Sequence, residues 1–224
     1  MRALIVANSP QAVLPPDFIP RPDDRIIAAD GGSLHALSWG WMPHVVIGDF
    51  DSLPSHERAR LEAVGCQFIQ VPAEKDETDL ELAIRLAAKE GAQELLIFGA
   101  LGGRPDHYLA NVMLLVLAAQ LGIPARILDG LQEIRLITGG ENADFSGAVN
   151  DALSLIPVGG DARGIVTEGL GYPLRGETLY FGLARGISNV FTASRARVKL
   201  EEGALLAVHT RQDTYKEDAI WGIL

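Results

Sequence analysis

The chain has 224 residues, 48% of them hydrophobic and 21% charged, and a formal net charge of −10. Composition of this kind suits a folded globular protein, while the acidic balance argues against non-specific nucleic-acid binding, which needs cations against phosphates. The single cysteine, Cys66, excludes an intrachain disulfide and a cysteine-based zinc site.

The first half alternates short apolar runs with helical segments. "ALIVAN" (3–8) and "RIIAAD" (25–30) predict strands, and a helix follows near 33–39. "HVVIGD" (44–49) predicts a third strand and 55–64 a second helix. "QFIQVP" (67–72) precedes a helix over 79–90, where Thr78 and Glu81 form a capping box and Gly91 can close the end. "ELLIFGA" (94–100), a helix over 107–121 and "ARILD" (125–129) complete the alternation. Near-continuous apolar strands separated by helices imply a parallel sheet covered on both faces. The aromatic run "WGWMPH" (39–44) is assigned to core packing beside the third strand.

From about residue 130 helical periodicity stops. Short runs at 133–138, 152–158, 164–169, 176–182, 189–194, 196–200 and 204–210 predict strands, and "VKLEEGALLAV" reads as a hairpin with Gly203 in the turn. The fold class is therefore an N-terminal parallel-sheet α/β domain, Rossmann-like, over 1–129, and a small all-β sandwich or barrel over 130–224. "MRALIVANSP" lacks a signal-peptide design, and the longest apolar run, "VMLLVLAA" (112–119), falls short of the roughly 20 residues a membrane span needs. These features predict a cytoplasmic protein.

The acidic residues fall in a pattern. Asp30 ends the second strand; Asp49 and Asp51 end the third, in "VVIGDFDSLP"; Asp76 and Asp79 follow the fourth; Arg104 and Asp106 follow the fifth. That rim, past the carboxyl ends of parallel strands, is where open α/β sheets bind ligands. Clustered carboxylates repel one another and raise each other's pKa, and a hard divalent cation relieves the repulsion. Asp49 and Asp51, two apart on extended chain, would point to one side as two ligands of a metal. "GALGGR" offers backbone N–H groups and a guanidinium for phosphate, and Lys75 adds a cation. No G-x-x-x-x-G-K-[ST] and no G-x-G-x-x-G after the first strand is present. Carboxylates for metal beside cations for phosphate form the layout of a phosphoryl-type transferase.

"AADGGSLHALSWGWMPHVVIGDFDSLP", "KDETDLELAI" and "GALGGRPDHYLANVMLL", with "VTEGLGYPL" and "ARGISN" in the second half, closely resemble thiamine pyrophosphokinase. The resemblance covers nearly the whole chain. It implies pyrophosphate transfer from ATP to the hydroxyl of thiamine, yielding AMP and thiamine diphosphate, with Mg²⁺ as cofactor. It also implies a homodimer with the active site at the subunit interface. Carried onto this sequence, Asp49, Asp51 and Asp79 resemble the Mg²⁺ ligands, and Asp30, Lys75, Thr78, Arg104, Asp106 and Asn111 the ATP-side set. Ser188 and Asn189 resemble thiamine contacts. Trp221 and Tyr172 are candidates for ring contact with thiamine or for plain packing. Either Asp79 or Asp106 could accept the hydroxyl proton.

Three other readings compete. A pyrophosphokinase for another alcohol, such as 6-hydroxymethylpterin, would share the first half; "GISN" and "GLGYPL" favour thiamine. A nucleotide sensor would not need to keep Asp49, Asp51, Asp79 and Arg104 together. A sugar-nucleotide transferase with a DxD motif would not predict "KDETD" and "GGRPDH" on the same rim.

Overall fold

The computed structural model of the chain describes residues 1–212. The chain divides into two compact units, Met1–Gly130 and the residues from Leu131 onward.

The first unit carries six strands, β1 (Arg2–Val6), β2 (Arg25–Ala29), β3 (Val45–Gly48), β4 (Gln67–Gln70), β5 (Glu94–Phe98) and β6 (Ala125–Asp129). They form a parallel sheet in the order β6-β5-β1-β2-β3-β4. Four helices connect them: α1 (Gly32–Ser38), α2 (Ser55–Ala63), α3 (Asp79–Lys89) and α4 (Pro105–Gln120). Strand order reverses between β1 and β5, so loops diverge there and leave a crevice at the carboxyl ends.

Local sequence explains the element ends. On α3 the buried residues Leu80, Ala83, Ile84 and Ala87 recur at helical spacing, and the Thr78 side chain accepts from the Glu81 N–H. Only half of the expected capping box forms, because the Glu81 carboxylate accepts from Arg85 instead. Gly91, at φ +82°, turns the chain out of the helix. Pro105 opens α4, where its missing N–H costs nothing. Trp41 packs with Leu4, Leu96, Ile26 and Phe98, so the aromatic run belongs beneath β1, β2 and β5 rather than beside β3.

Among the described residues the second unit contains eight strands in two antiparallel sheets. One has β7 (Gln132–Thr138), β9 (Ala152–Pro157), β12 (Asn189–Val190) and β14 (Ala204–Thr210), in the order β12-β9-β14-β7. The other has β8 (Asn142–Ser146), β10 (Ala162–Glu168), β11 (Arg175–Leu179) and β13 (Arg195–Lys199), in the order β11-β10-β13-β8. Leu153, Leu155 and Leu205 of the first sheet share a core with Phe145, Ile165 and Val198 of the second.

The expected hairpin is not there. β13 pairs with β8 and β10, whereas β14 pairs with β7 and β9, so the turn at Gly203 carries the chain from one sheet to the other. Both strands bury apolar residues in the shared core, a pattern that a hairpin would also show. At Gly203 (φ +91°) a Cβ would lie 2.4 Å from the Asp161 carbonyl oxygen, so the crossing needs glycine. The strand expected over 189–194 shortens to two residues, and β8 was not anticipated because "NADFS" is mostly polar.

Candidate active site

The loops after β1 to β5 surround a cavity of about 930 Å³. Asp30, Asp49, Asp51, Lys75, Thr78, Asp79, Arg104 and Asn111 all line it.

Asp30 follows β2 at φ +45°, held by its N–H to the Ile47 carbonyl and by its own carbonyl, which accepts from the Ser33 N–H and hydroxyl. It is 6% exposed. Burial, the largest influence, pushes its carboxyl above the ordinary range; Asp79 and Asp51 add repulsion, and bonds from Ser52 and the Gly31 N–H oppose it. Its Oδ1 is buried without a hydrogen-bond partner among the described residues.

Asp49 and Asp51 do not converge by the alternation of extended chain. β3 ends at Gly48, and Phe50 between them has φ +66°. The ring of Phe50 is buried against Val46, Leu53 and Leu61, meets Phe68 edge-on at 5.3 Å, and carries Arg58 at 5.1 Å. Anchoring this ring under the sheet holds an unfavourable backbone conformation in place, a strain often found at functional sites. The turn directs both carboxylates into the cavity, and Asp49 Oδ1 accepts the Asp51 N–H at 3.2 Å. Ligand oxygens of Asp30, Asp49 and Asp51 lie within 4.8 Å of one another. Three close hard oxygen donors, one of them buried and unsatisfied, suit a divalent cation such as Mg²⁺.

Asp79 stands differently. Its Oδ1 pairs with Lys75 Nζ at 2.9 Å, and Lys75 also donates to the Pro72 carbonyl. Arg104 pairs with Asp106 at 2.6 Å, both exposed. Arg104 lines the cavity; Asp106 stands outside the lining and reaches it through this pair. The bond from Arg104 holds the Asp106 carboxyl below the ordinary range, which makes it a poor proton acceptor. Asn111 Nδ2 donates to the Ala100 carbonyl, fixing α4 against the glycine-rich loop.

Sequence reasoning missed part of the wall. Asn8, Ser9, Ser52, Glu77 and His107 line the cavity too. Ser9 Oγ donates to the Leu101 carbonyl and so joins the loop after β1 to the loop after β5. The signal was "ANSP" at the end of the first strand, which reads equally as a turn.

In the second unit Ser188 has φ +60°, and its N–H donates to Ser154 Oγ. The Asn189 side chain is engaged on both ends: Oδ1 accepts the Tyr172 N–H at 2.9 Å and Nδ2 donates to the Tyr172 carbonyl at 2.7 Å. The Tyr172 residue is 72% exposed. Trp221 lies outside the described residues.

Comparison with known proteins bears on both units. Residues 21–127 match the family described as "Thiamin pyrophosphokinase, catalytic domain", and residues 144–205 match "Thiamin pyrophosphokinase, vitamin B1 binding domain". The thiamine pyrophosphokinase of Bacillus subtilis is 32% identical over 208 residues, covering 92% of this chain and 97% of that protein. The chain belongs to the thiamine pyrophosphokinase family. A crystal structure of thiamine pyrophosphokinase from Bacillus subtilis superposes with a TM-score of 0.86 at 30% identity, covering 95% of this chain and 100% of that one. One from Geobacillus thermodenitrificans gives 0.83 at 29%, covering 96% and 99%. The catalytic match contains every carboxylate that lines the cavity. Membership of the thiamine pyrophosphokinase family, with a vitamin B1 binding match over the second unit, favours thiamine over the pterin alternative. Among the described residues no helix is long and apolar enough to cross a membrane.

Proposed function

We propose that the chain transfers pyrophosphate from ATP to the hydroxyl of thiamine, giving AMP and thiamine diphosphate. The observation that carries this reading is one cavity where Asp30, Asp49, Asp51 and Asp79 meet Lys75 and Arg104, in a chain whose second unit matches a vitamin B1 binding domain.

The thiamine hydroxyl oxygen forms a bond to the β-phosphorus of ATP. The bond from that phosphorus to the oxygen bridging the α-phosphate breaks, and AMP leaves with the electron pair. Asp30, Asp49 and Asp51 would hold Mg²⁺, which when bound supplies neutralisation of the triphosphate charge. Arg104 offsets charge on the phosphates, with Thr78 and Asn111 on the ATP side. Lys75 exchanges Asp79 for a phosphate oxygen when ATP enters, which frees Asp79 as a further metal ligand or as acceptor of the hydroxyl proton. Asp106 keeps Arg104 aimed rather than taking the proton. The acidic wall also suits thiamine, whose thiazolium is a fixed cation.

In this reading the first unit is a Rossmann-like nucleotide domain, and the second is a sandwich that holds thiamine through Ser188, Asn189, Tyr172 and Trp221. The assembly proposed is a homodimer in the cytoplasm with its active site at the subunit interface. Exposed Tyr180, Phe181, Leu183 and Ile187 support it, since apolar residues gathered on one segment mark a surface that is covered in use.

The test is incubation with ATP, Mg²⁺ and either thiamine or 6-hydroxymethylpterin. AMP should form with thiamine and not with the pterin. AMP with the pterin alone would overturn the substrate, and ADP would overturn the reaction.

A further inference from the structure

The second unit buries an ionisable pair that the mechanism above does not use. Asp151 and His209 are each 3% exposed, with His209 Nε2 3.1 Å from Asp151 Oδ2. The carboxylate also accepts the Ala148 N–H at 2.8 Å and the Gln212 N–H at 2.9 Å. Burial works against its charge, yet these donors together bring the Asp151 carboxyl below the ordinary range. A buried charge this fully bonded fixes whatever chain its partners belong to.

Those partners lead to the segment assigned to thiamine. The Asp151 carbonyl accepts the Phe191 N–H, and the Asn150 N–H donates to the Phe191 carbonyl, both at 2.9 Å. The Phe191 ring stacks on His209, with centroids 5.0 Å apart and planes 29° apart. Gly147 closes the far side: a Cβ there would come 2.7 Å from Asp151 Oδ2 and 3.1 Å from His209 Nε2. Two residues before Phe191, Asn189 pairs with Leu153 of β9 and clamps Tyr172, and Ser188 sits in its left-handed conformation.

We propose that Asp151 and His209 are positioning residues for thiamine. Held by two backbone donors and one stacked ring, the pair fixes Phe191 and thereby the register of β12, so that Ser188, Asn189 and the Tyr172 ring are presented in one arrangement. The inference rests on the reading that Ser188 and Asn189 serve thiamine. Neither Asp151 nor His209 is asked to touch substrate.

The experiment compares steady-state kinetics of Asp151→Asn, His209→Leu, His209→Gln and Asn189→Ala in the full chain. Asp151→Asn and His209→Leu should raise the KM for thiamine at least tenfold while kcat and the KM for ATP stay within threefold. His209→Gln keeps a donor toward Asp151 and should return the thiamine KM to within threefold of the parent. If Asn189→Ala raises the thiamine KM but the buried-pair variants do not, or if they lower kcat and ATP affinity alike, the positioning role is overturned and the thiamine assignment survives. If Asn189→Ala leaves the thiamine KM unchanged, the assignment itself fails and the inference with it. Insolubility of both Asp151→Asn and His209→Leu, with no recovery in His209→Gln, would assign the pair to folding alone and also overturn the proposal.

Discussion

Gly48 lies so close to Asp30 that a Cβ on it would come within 2.8 Å of the Asp30 Cβ. The last residue of β3 thus leaves room for the carboxylate at the end of β2, and Asp49 follows directly. Gly48→Ala is expected to displace Asp30 from the carboxylate group and to lower kcat/KM at least tenfold, with the Mg²⁺ needed for half-activity raised. Circular dichroism should show the fold retained. Parent-like kinetics would mean that Asp30 has no fixed role.

Asp30 carries a stability cost that can be read against pH. Its pKa is raised in the folded chain, mainly by burial, so folding is penalised as pH rises above the ordinary carboxylate range and not below it. Asp30→Asn should therefore melt about 2–4 °C higher than the parent at neutral pH, the difference vanishing in acid, while activity is lost. Thermal scans from acid to neutral pH check both the sign and the window.

Asp24 behaves in the opposite sense. Its side chain is 1% exposed and bonded to Arg2 at 2.6 Å. Burial raises its pKa, but the bonds from Arg2 and the Arg21 N–H outweigh it and leave the carboxyl lowered. Its contribution is complete above the ordinary carboxylate range and is lost as pH falls through the lowered pKa. Asp24→Asn strands Arg2 and should cost about 3–5 kcal/mol at neutral pH, measured by urea unfolding, with the cost shrinking in acid.

At Ser188 the left-handed backbone makes residue size matter. Ser188→Gly should stay within about 1 kcal/mol of the parent, since relief of strain offsets added chain entropy. Ser188→Val should lose roughly 1–3 kcal/mol, because a β-branched residue fits that region worst. Both should raise the KM for thiamine. Chemical denaturation and kinetics on the same samples separate the two effects.

The strand ends were legible because parallel strands covered on both faces read as plain apolar runs, and the rim residues follow from counting past them. What stayed hidden depended on three-dimensional packing. The Asp49–Phe50–Asp51 turn needs a buried anchor for Phe50, supplied by Val46, Leu53, Leu61, Phe68 and Arg58. The pairing of Asp79 with Lys75 is an i, i+4 contact whose partner choice spacing alone does not settle. The crossing at Gly203 looked like a hairpin because turn chemistry and apolar alternation are the same whether a chain returns within a sheet or passes to the next. The pair of Asp151 and His209 was invisible, since 58 residues separate them and neither stands in a motif.

In the proposed reaction Asp30, Asp49 and Asp51 jointly hold a divalent cation with the triphosphate. The most direct measurement is Mn²⁺ binding, followed by electron paramagnetic resonance with a non-hydrolysable ATP analogue, in the parent and in Asp49→Asn and Asp51→Asn. The parent should hold a protein-bound Mn²⁺–nucleotide signal that each substitution weakens at least tenfold, with turnover falling at least a hundredfold. Unchanged Mn²⁺–nucleotide affinity in both variants would contradict the claim.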